Sequence, residues 1–217
     1  FMPDIRYAQN ENVDRGDLRM QVIERGTSTP IDDAKISISY SGDPDSTVEE
    51  VNTDASGMSE TLTLDTPPLE LSMQPSEVQP YAEYTIQVTA KGYRPINISG
   101  IEVFSGQLSL QEIRMDAEKA TESMTDNIVI PAHTLFAEYP PKIAEAEIKP
   151  VTETGEIVLS RVVVPEYVIV HDGAPSDPTA RDYYVRYRDY IKNVASSEIY
   201  STWPDATIRA NVLAIMS

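Results

Sequence analysis

The sequence predicts a multidomain protein: an N-terminal all-β antiparallel sandwich, a proline-rich strap, and the start of an α+β domain. Three observations carry this. Between Asp17 and Met115 apolar residues recur at every second position, in short runs separated by turn residues, the pattern of strands with one buried face. Over residues 117–160 that period is lost and prolines recur at 131, 140, 141 and 150, which implies an extended, semi-rigid tether. From Tyr190 onward apolar residues recur at helical spacing.

The elements follow in order. Residues 1–16 are polar and read as a tail. Leu18, Met20 and Val22 alternate with Arg19 and Gln21. Ala34, Ile36 and Ile38 alternate with Lys35, Ser37 and Ser39. Thr47–Thr53 is a third, weaker run, closed by the turn Asp54-Ala-Ser-Gly57, with glycine where positive φ is needed. Leu62 and Leu64 form a strand that Pro67-Pro68 ends, because proline cannot donate to the ladder. Tyr84, Ile86 and Val88 form the next, and the turn Lys91–Pro95 leads to Ile96, Ile98, Ile101 and Val103. Leu108–Met115 is the last. The sandwich therefore spans 17–116, the strap 117–160 and the third region 161–217. Asp116–Asp126 reads as either a short helix or a disordered segment. In the third region Arg161–Val170 gives one or two β-runs split by Pro165, and a polar loop reaches Asp182. Tyr183, Val185 and Tyr187 then alternate as a short strand. Tyr183, Tyr184, Tyr187 and Tyr190 either pack or offer faces to pyranose rings.

Composition narrows the function. The chain has 217 residues, enough for one or two domains, and its 41% hydrophobic content argues against wholesale disorder. It has no run of about 18 apolar residues, so no membrane span is expected. The start, Phe1-Met-Pro-Asp, lacks the basic and apolar regions of a signal peptide, as a trimmed mature chain also would. Without cysteine there is no disulfide, thiolate nucleophile or cysteine-based zinc site. His133 and His171 are too few for a histidine metal cluster, and neither metal nor cofactor is expected. The net charge is −18, from 17 basic and 35 acidic residues. Residues 1–150 carry 11 basic and 26 acidic side chains, net −15; residues 151–217 carry 6 and 9, net −3. Such a surface repels nucleic acid and anionic lipid. It also repels an anionic cell wall, so the first 150 residues are not an electrostatic wall anchor.

The chemistry concentrates near the end. Tyr190 to Ile199 is predicted helical, and Tyr190, Val194 and Ser197/Glu198 place Glu198 on its apolar face. An acid there loses hydration, which favours the protonated form that a general acid needs. Thr202 can cap, Pro204 suits a first turn and Asp205 complements a helix N-terminus. Ile208, Val212 and Ile215/Met216 are the inward stripe of a second helix, with Arg209 and Asn211 off that stripe and free to meet a polar substrate. By composition alone, a helix-end acid paired with Arg209 or Lys192 is the favoured reading of Glu198.

Two resemblances sharpen this. Pro30-Ile-Asp-Asp-Ala34, Thr53-Asp-Ala-Ser-Gly57 and Ala90-Lys-Gly-Tyr93 resemble the carboxypeptidase-regulatory-like, transthyretin-type sandwich family over about residues 17–115. That resemblance implies a structural or interaction module. Gly92-Tyr93 is then a turn glycine with a core-capping tyrosine, or a binding spot. Val194-Ala-Ser-Ser-Glu198, Trp203-Pro204 and Ile208-Arg-Ala-Asn211-Val-Leu-Ala-Ile215 resemble the opening of the stage II sporulation protein D family of peptidoglycan lytic transglycosylases. The longer stretch from Val164 to Ser217 resembles the spore cortex-lytic enzymes of anaerobic spore-formers.

The second resemblance implies that Glu198 is the catalytic acid/base cleaving MurNAc–GlcNAc linkages during germination, with Ser197, Arg209 and Asn211 binding the sugar. Trp203 would pack at the helix turn. It further implies peptidoglycan glycan strands as substrate, an activating subtilisin-like protease cutting the strap at about 137–160, the sandwich as a pro-domain, no cofactor, and a spore location, exported or spore-associated. Ser217 falls inside the second predicted helix without a cap, so the chain is expected to be a fragment or part of a zymogen. The alternative is a non-catalytic interaction protein, with the sandwich as its working part and an inactive C-terminal remnant. The acidic first 150 residues would then favour a protein partner.

Overall fold

The computed structural model describes residues 13–74, 77–118, 124–132, 164–174 and 177–216. Most of the expected tail, residues 133–163 of the strap and its neighbourhood, and with them the expected cleavage region and His133, lie outside the described residues. The chain divides into two units: Phe1–Phe136 with Tyr200–Trp203, and Ala137–Ile199 with Pro204–Ser217.

The first unit is built from strands β1 (Asp14–Glu24), β2 (Lys35–Tyr40), β3 (Asp43–Asn52), β4 (Leu62–Thr66), β5 (Ala82–Thr89), β6 (Ile96–Val103), β7 (Leu108–Met115) and β8 (Asp126–Val129). One short helix, α1 (Glu70–Met73), lies between β4 and β5. The strands form two sheets, ordered β4-β1-β7 and β3-β2-β5-β6-β8. The alternation read from the sequence decides which side chains turn inward. Leu18, Met20, Val22, Leu64, Ile113 and Met115 of one sheet join Ile36, Ile38, Tyr84, Ile86, Val88, Ile98 and Val103 of the other in a single core. Each fully buried aliphatic side chain there is worth about 1.5–3 kcal/mol relative to exposure.

Three features differ from the sequence reading. The sheets are mixed, not purely antiparallel: β1 runs parallel to β7 and β6 runs parallel to β8. β1 starts at Asp14, drawing residues 14–16 out of the expected tail and pairing Asp14 with Thr66. Residues 126–129, expected in the strap, form β8 along the edge of the larger sheet. Four residues are too short a run to show a period. What holds them is a charged clasp: Arg94 reaches Asp126 at 3.0 Å and Asp116 at 3.2 Å, and the Asp126 N–H donates to the Pro95 carbonyl at 2.9 Å.

The quoted turn residues meet in one knot. The Thr53 hydroxyl donates to the Ile31 carbonyl at 2.7 Å and accepts from the Ala34 N–H at 2.9 Å. The Thr53 N–H donates to the Ala34 carbonyl and the Asp33 N–H to the Thr53 carbonyl, each at 3.0 Å. Asp54 Oδ1 then accepts from the Ser56 hydroxyl at 2.6 Å, the Ser56 N–H at 2.8 Å and the Met58 N–H at 3.0 Å. These bonds, the Ser56 hydroxyl first, hold the Asp54 carboxyl below its ordinary value. Gly57 has φ +74°, and a Cβ there would stand 2.4 Å from the Val22 carbonyl oxygen. Only glycine lets this turn close on β1.

Tyr84 ties the sheets together: its hydroxyl donates to the Asp65 carbonyl at 2.7 Å, and burial pushes the phenol pKa up. Tyr93 packs against the core beside the positive-φ Gly92, as a core-capping tyrosine would. A smaller aromatic cluster in the same unit joins Tyr81, Phe104 and Tyr200, with Trp203 against it. The Trp203 indole N–H donates to the Ser72 carbonyl at 2.8 Å, so this residue packs.

The second unit comprises an antiparallel ribbon, β9 (Tyr167–Asp172) with β10 (Arg181–Arg186), and helices α2 (Tyr187–Ser196) and α3 (Asp205–Met216). β10 starts two residues before the expected short strand and ends at Arg186, so Tyr187, expected in that strand, instead opens α2, three residues before the predicted start of the helix. Asp189 in its first turn complements the helix dipole. Among the described residues no helix is long and apolar enough to cross a membrane.

The knot is testable. Thr53→Val keeps the shape but strands the buried Ile31 carbonyl and Ala34 N–H. It should cost about 2–4 kcal/mol, read as a lower midpoint in urea. An unchanged midpoint would show that the hydroxyl is dispensable.

Candidate functional site

Helix α2 ends because its serines turn back. The hydroxyls of Ser196 and Ser197 donate to the Asn193 carbonyl at 2.9 and 3.0 Å. This satisfies an orphan carbonyl of the last turn and competes with further helix. The Ser197 N–H still reaches Val194, and the Glu198 N–H donates to the Ala195 carbonyl at 3.1 Å. Glu198 thus sits just past the helix, on a closed turn.

That placement corrects one expectation. Glu198 is exposed, whereas the apolar-face spacing implied a desolvated acid. The spacing places Glu198 on the apolar face only if the helix runs through Ile199. Because α2 stops at Ser196, the side chain leaves the helical phase, and the buried positions are Ile191 and Ile199.

Helix α3 supplies the partner. Ile208, Val212 and Ile215 form its half-buried stripe, as the sequence predicts, while Met216 is exposed. Asn211 lies within that stripe, three residues from Ile208 and four from Ile215, and is itself half-buried. The expectation that it lies off the stripe is therefore corrected. Its Nδ2 donates to Glu198 Oε2 at 2.9 Å. The partner of Glu198 is thus an amide, and neither Arg209 nor Lys192 is hydrogen-bonded to it among the described residues. Arg209 is exposed on α3. Ser197 adjoins Glu198 in the chain, but its hydroxyl is committed to the Asn193 carbonyl. Of the four residues singled out, the fold joins Glu198 and Asn211 directly.

The ribbon adds a feature that sequence reasoning did not assign. His171 and Asp182 are cross-strand partners, with Nδ1 and Oδ1 2.8 Å apart. Nε2 lies 3.1 Å from the Ala174 carbonyl oxygen. Two acceptors facing two ring nitrogens favour the imidazolium, and the Asp182 carboxylate is the main cause holding the His171 pKa above its ordinary value. Strand register alone could have paired the two, but the strand boundaries were needed first. On the ribbon, Tyr184 lies across from Ile169 and Arg186 from Tyr167. Tyr184 is 75% exposed and Tyr167 45%, which argues against a packing role for these two rings. Among the described residues no three His, Cys, Asp or Glu side chains gather as a metal site.

No protein-family model and no curated protein matches the chain. Solved structures match part of it. The Bacillus anthracis TIE protein is 15% identical over 48% of this chain and 17% of its own, with a TM-score of 0.33. The minor pilin of Streptococcus agalactiae is 10% identical over 56% and 49%, at 0.35. The 3-chlorocatechol 1,2-dioxygenase of Rhodococcus opacus is 12% identical over 51% and 62%, at 0.34. This chain thus spans less than two thirds of each, and likenesses at this level carry no functional argument.

The histidine pair makes a pH prediction. The folded pKa is raised, so its contribution is fully present below the unfolded value of about 6.5 and is lost as pH rises through the higher folded value. In an NMR titration His171 should titrate above 6.5, and Asp182→Asn should lower its midpoint. A midpoint at or below the ordinary value, or one insensitive to Asp182→Asn, would contradict the pairing.

Proposed function

We propose that this chain is part of a spore cortex peptidoglycan lytic transglycosylase, with Glu198 as general acid and base. The observation that supports this most directly is the 2.9 Å bond from Asn211 to Glu198. It joins the acid and the amide of the sequence motif, 13 residues apart, across a helix end where Glu198 is open to solvent. The transthyretin-type reading of the first unit, its role as a pro-domain and cleavage of the strap by a subtilisin-like protease belong to the same proposal.

The chemistry requires one carboxyl and no water. Protonated Glu198 gives its proton to the glycosidic oxygen joining N-acetylmuramic acid to N-acetylglucosamine. The C1–O bond breaks, and the N-acetylglucosamine side leaves with a free hydroxyl. The muramic 6-hydroxyl oxygen bonds to C1 of its own ring, and the Glu198 carboxylate takes the proton that hydroxyl loses. The products are the anhydro sugar and the shortened strand, and the acid is regenerated. A single carboxyl on a solvent-facing turn can serve both steps in succession, where ordinary glycosidases use two. In this reading Arg209, exposed on α3, meets anionic groups of a muropeptide, and Ser197, next to Glu198 in sequence, contacts the sugar. The exposed rings of Tyr167 and Tyr184 are of a kind that stacks on pyranose faces.

The deciding measurement is mass spectrometry of products from purified cortex treated with the full-length, protease-activated protein. Anhydro-muropeptides should appear, and Glu198→Gln should reduce their release at least about 100-fold. Release at the wild-type rate by Glu198→Gln would leave only the interaction-module reading.

A further inference from the structure

We propose that Asn211 is a positioning residue for Glu198, and not the sugar ligand that the sequence motif implied. Its amide fixes Oε2 and leaves Oε1 as the oxygen that exchanges the proton. This rests on the reading of Glu198 as acid and base.

Mobility would limit an acid in this position. Glu198 is exposed and follows the end of α2, so its side-chain torsions are free unless something holds the carboxyl. Misplacing a reacting group by about 1 Å can cost about 100-fold in rate. Asn211 is suited to hold it. It lies in the half-buried stripe of α3 with Ile208, Val212 and Ile215, so its own side chain is confined. Its Nδ2 meets Oε2 at 2.9 Å.

The other end of the same amide is committed to no other group: Asn211 Oδ1 is buried and has no hydrogen-bond partner among the described residues. Glu198 must be a carboxyl before it gives up its proton and a carboxylate afterwards. A carboxylate accepts from the amide N–H. A carboxyl protonated on Oε1 still presents Oε2 as a carbonyl oxygen, which accepts from the same amide N–H. One asparagine can therefore serve both protonation states without moving the helix. A cation in its place would favour the carboxylate alone. The other charged side chains on the two helices are Arg188, Asp189 and Lys192 on α2 and Asp205 and Arg209 on α3. None of them is hydrogen-bonded to Glu198 among the described residues.

The test compares wild type, Asn211→Ala and Asn211→Asp in the full-length activated protein, on soluble glycan strands. Alanine is a strong helix former, so α3 should tolerate it, and equal helical circular dichroism would verify that. Asn211→Ala should lower kcat about 10- to 100-fold with KM within about twofold. Asn211→Asp sets a second carboxylate against Glu198. The two would share a proton, and the alkaline limb of the kcat profile, where the general acid loses its proton, should move to higher pH. A raised KM with unchanged kcat would instead make Asn211 a sugar ligand, and an unmoved pH profile in Asn211→Asp would also overturn the proposal. The two readings fail separately. If Glu198→Gln stays active the catalytic assignment falls; if it is inactive while both Asn211 variants match wild type, only the positioning role falls.

Discussion

The hydroxyl of Thr53 is where the first unit is tied. It satisfies the Ile31 carbonyl and the Ala34 N–H in one place, between the segment entering β2 and the segment leaving β3. Neither backbone group lies within a strand ladder, and both are buried, so without the hydroxyl they would be orphaned. The same segment then passes to Asp54 and Gly57, whose turn delivers its carbonyl to Val22 of β1 at 2.7 Å. A polar residue in the interior thus ties the entry to β2 to the exit of β3, the turn that follows it reaches the other sheet at Val22, and the aliphatic core fills in around them. The core alone would supply attraction without specifying this arrangement.

This accounts for what was legible in advance. Leu18, Met20, Val22, Ile36, Ile38, Tyr84, Ile86 and Val88 announce their strands because a period of two has only one explanation in a half-buried sheet. Gly57 announces its turn for steric reasons. Strand direction is another matter. Parallel pairing of β1 with β7 depends on contacts between residues about ninety positions apart, and no local pattern records it. β8 was hidden for a different reason. Its residues are mostly exposed, and what places it is Arg94, which carries no periodic signal and finds Asp116 and Asp126 only once the chain is folded.

The candidate site was legible as residues and illegible as geometry. Glu198, Arg209 and Asn211 stand out by type and order. Helical phase, extrapolated from Tyr190, put Glu198 on the wrong side, because two serines ended α2 before the extrapolation reached it. Phase also mislaid Asn211. An amide three residues from Ile208 and four from Ile215 belongs to the stripe by angle, but polar character led it to be read as outward. The partly buried amide and the exposed acid then meet, an arrangement that composition rules do not anticipate.

The parallel pairing of β1 with β7 has a consequence for how the protein is made. β1 occupies the middle of its sheet, between β4 and β7. One flank can be covered once β4 has emerged, but the other stays bare until the chain has grown past residue 115. A strand carrying Leu18, Met20 and Val22 therefore waits through most of the unit's synthesis, with half of its backbone groups unmatched and its inner face wet. Late closure of this kind slows folding and lengthens exposure to wrong partners. Every acidic side chain nearby then acts on the nascent chain, keeping neighbouring copies apart until the last strand arrives.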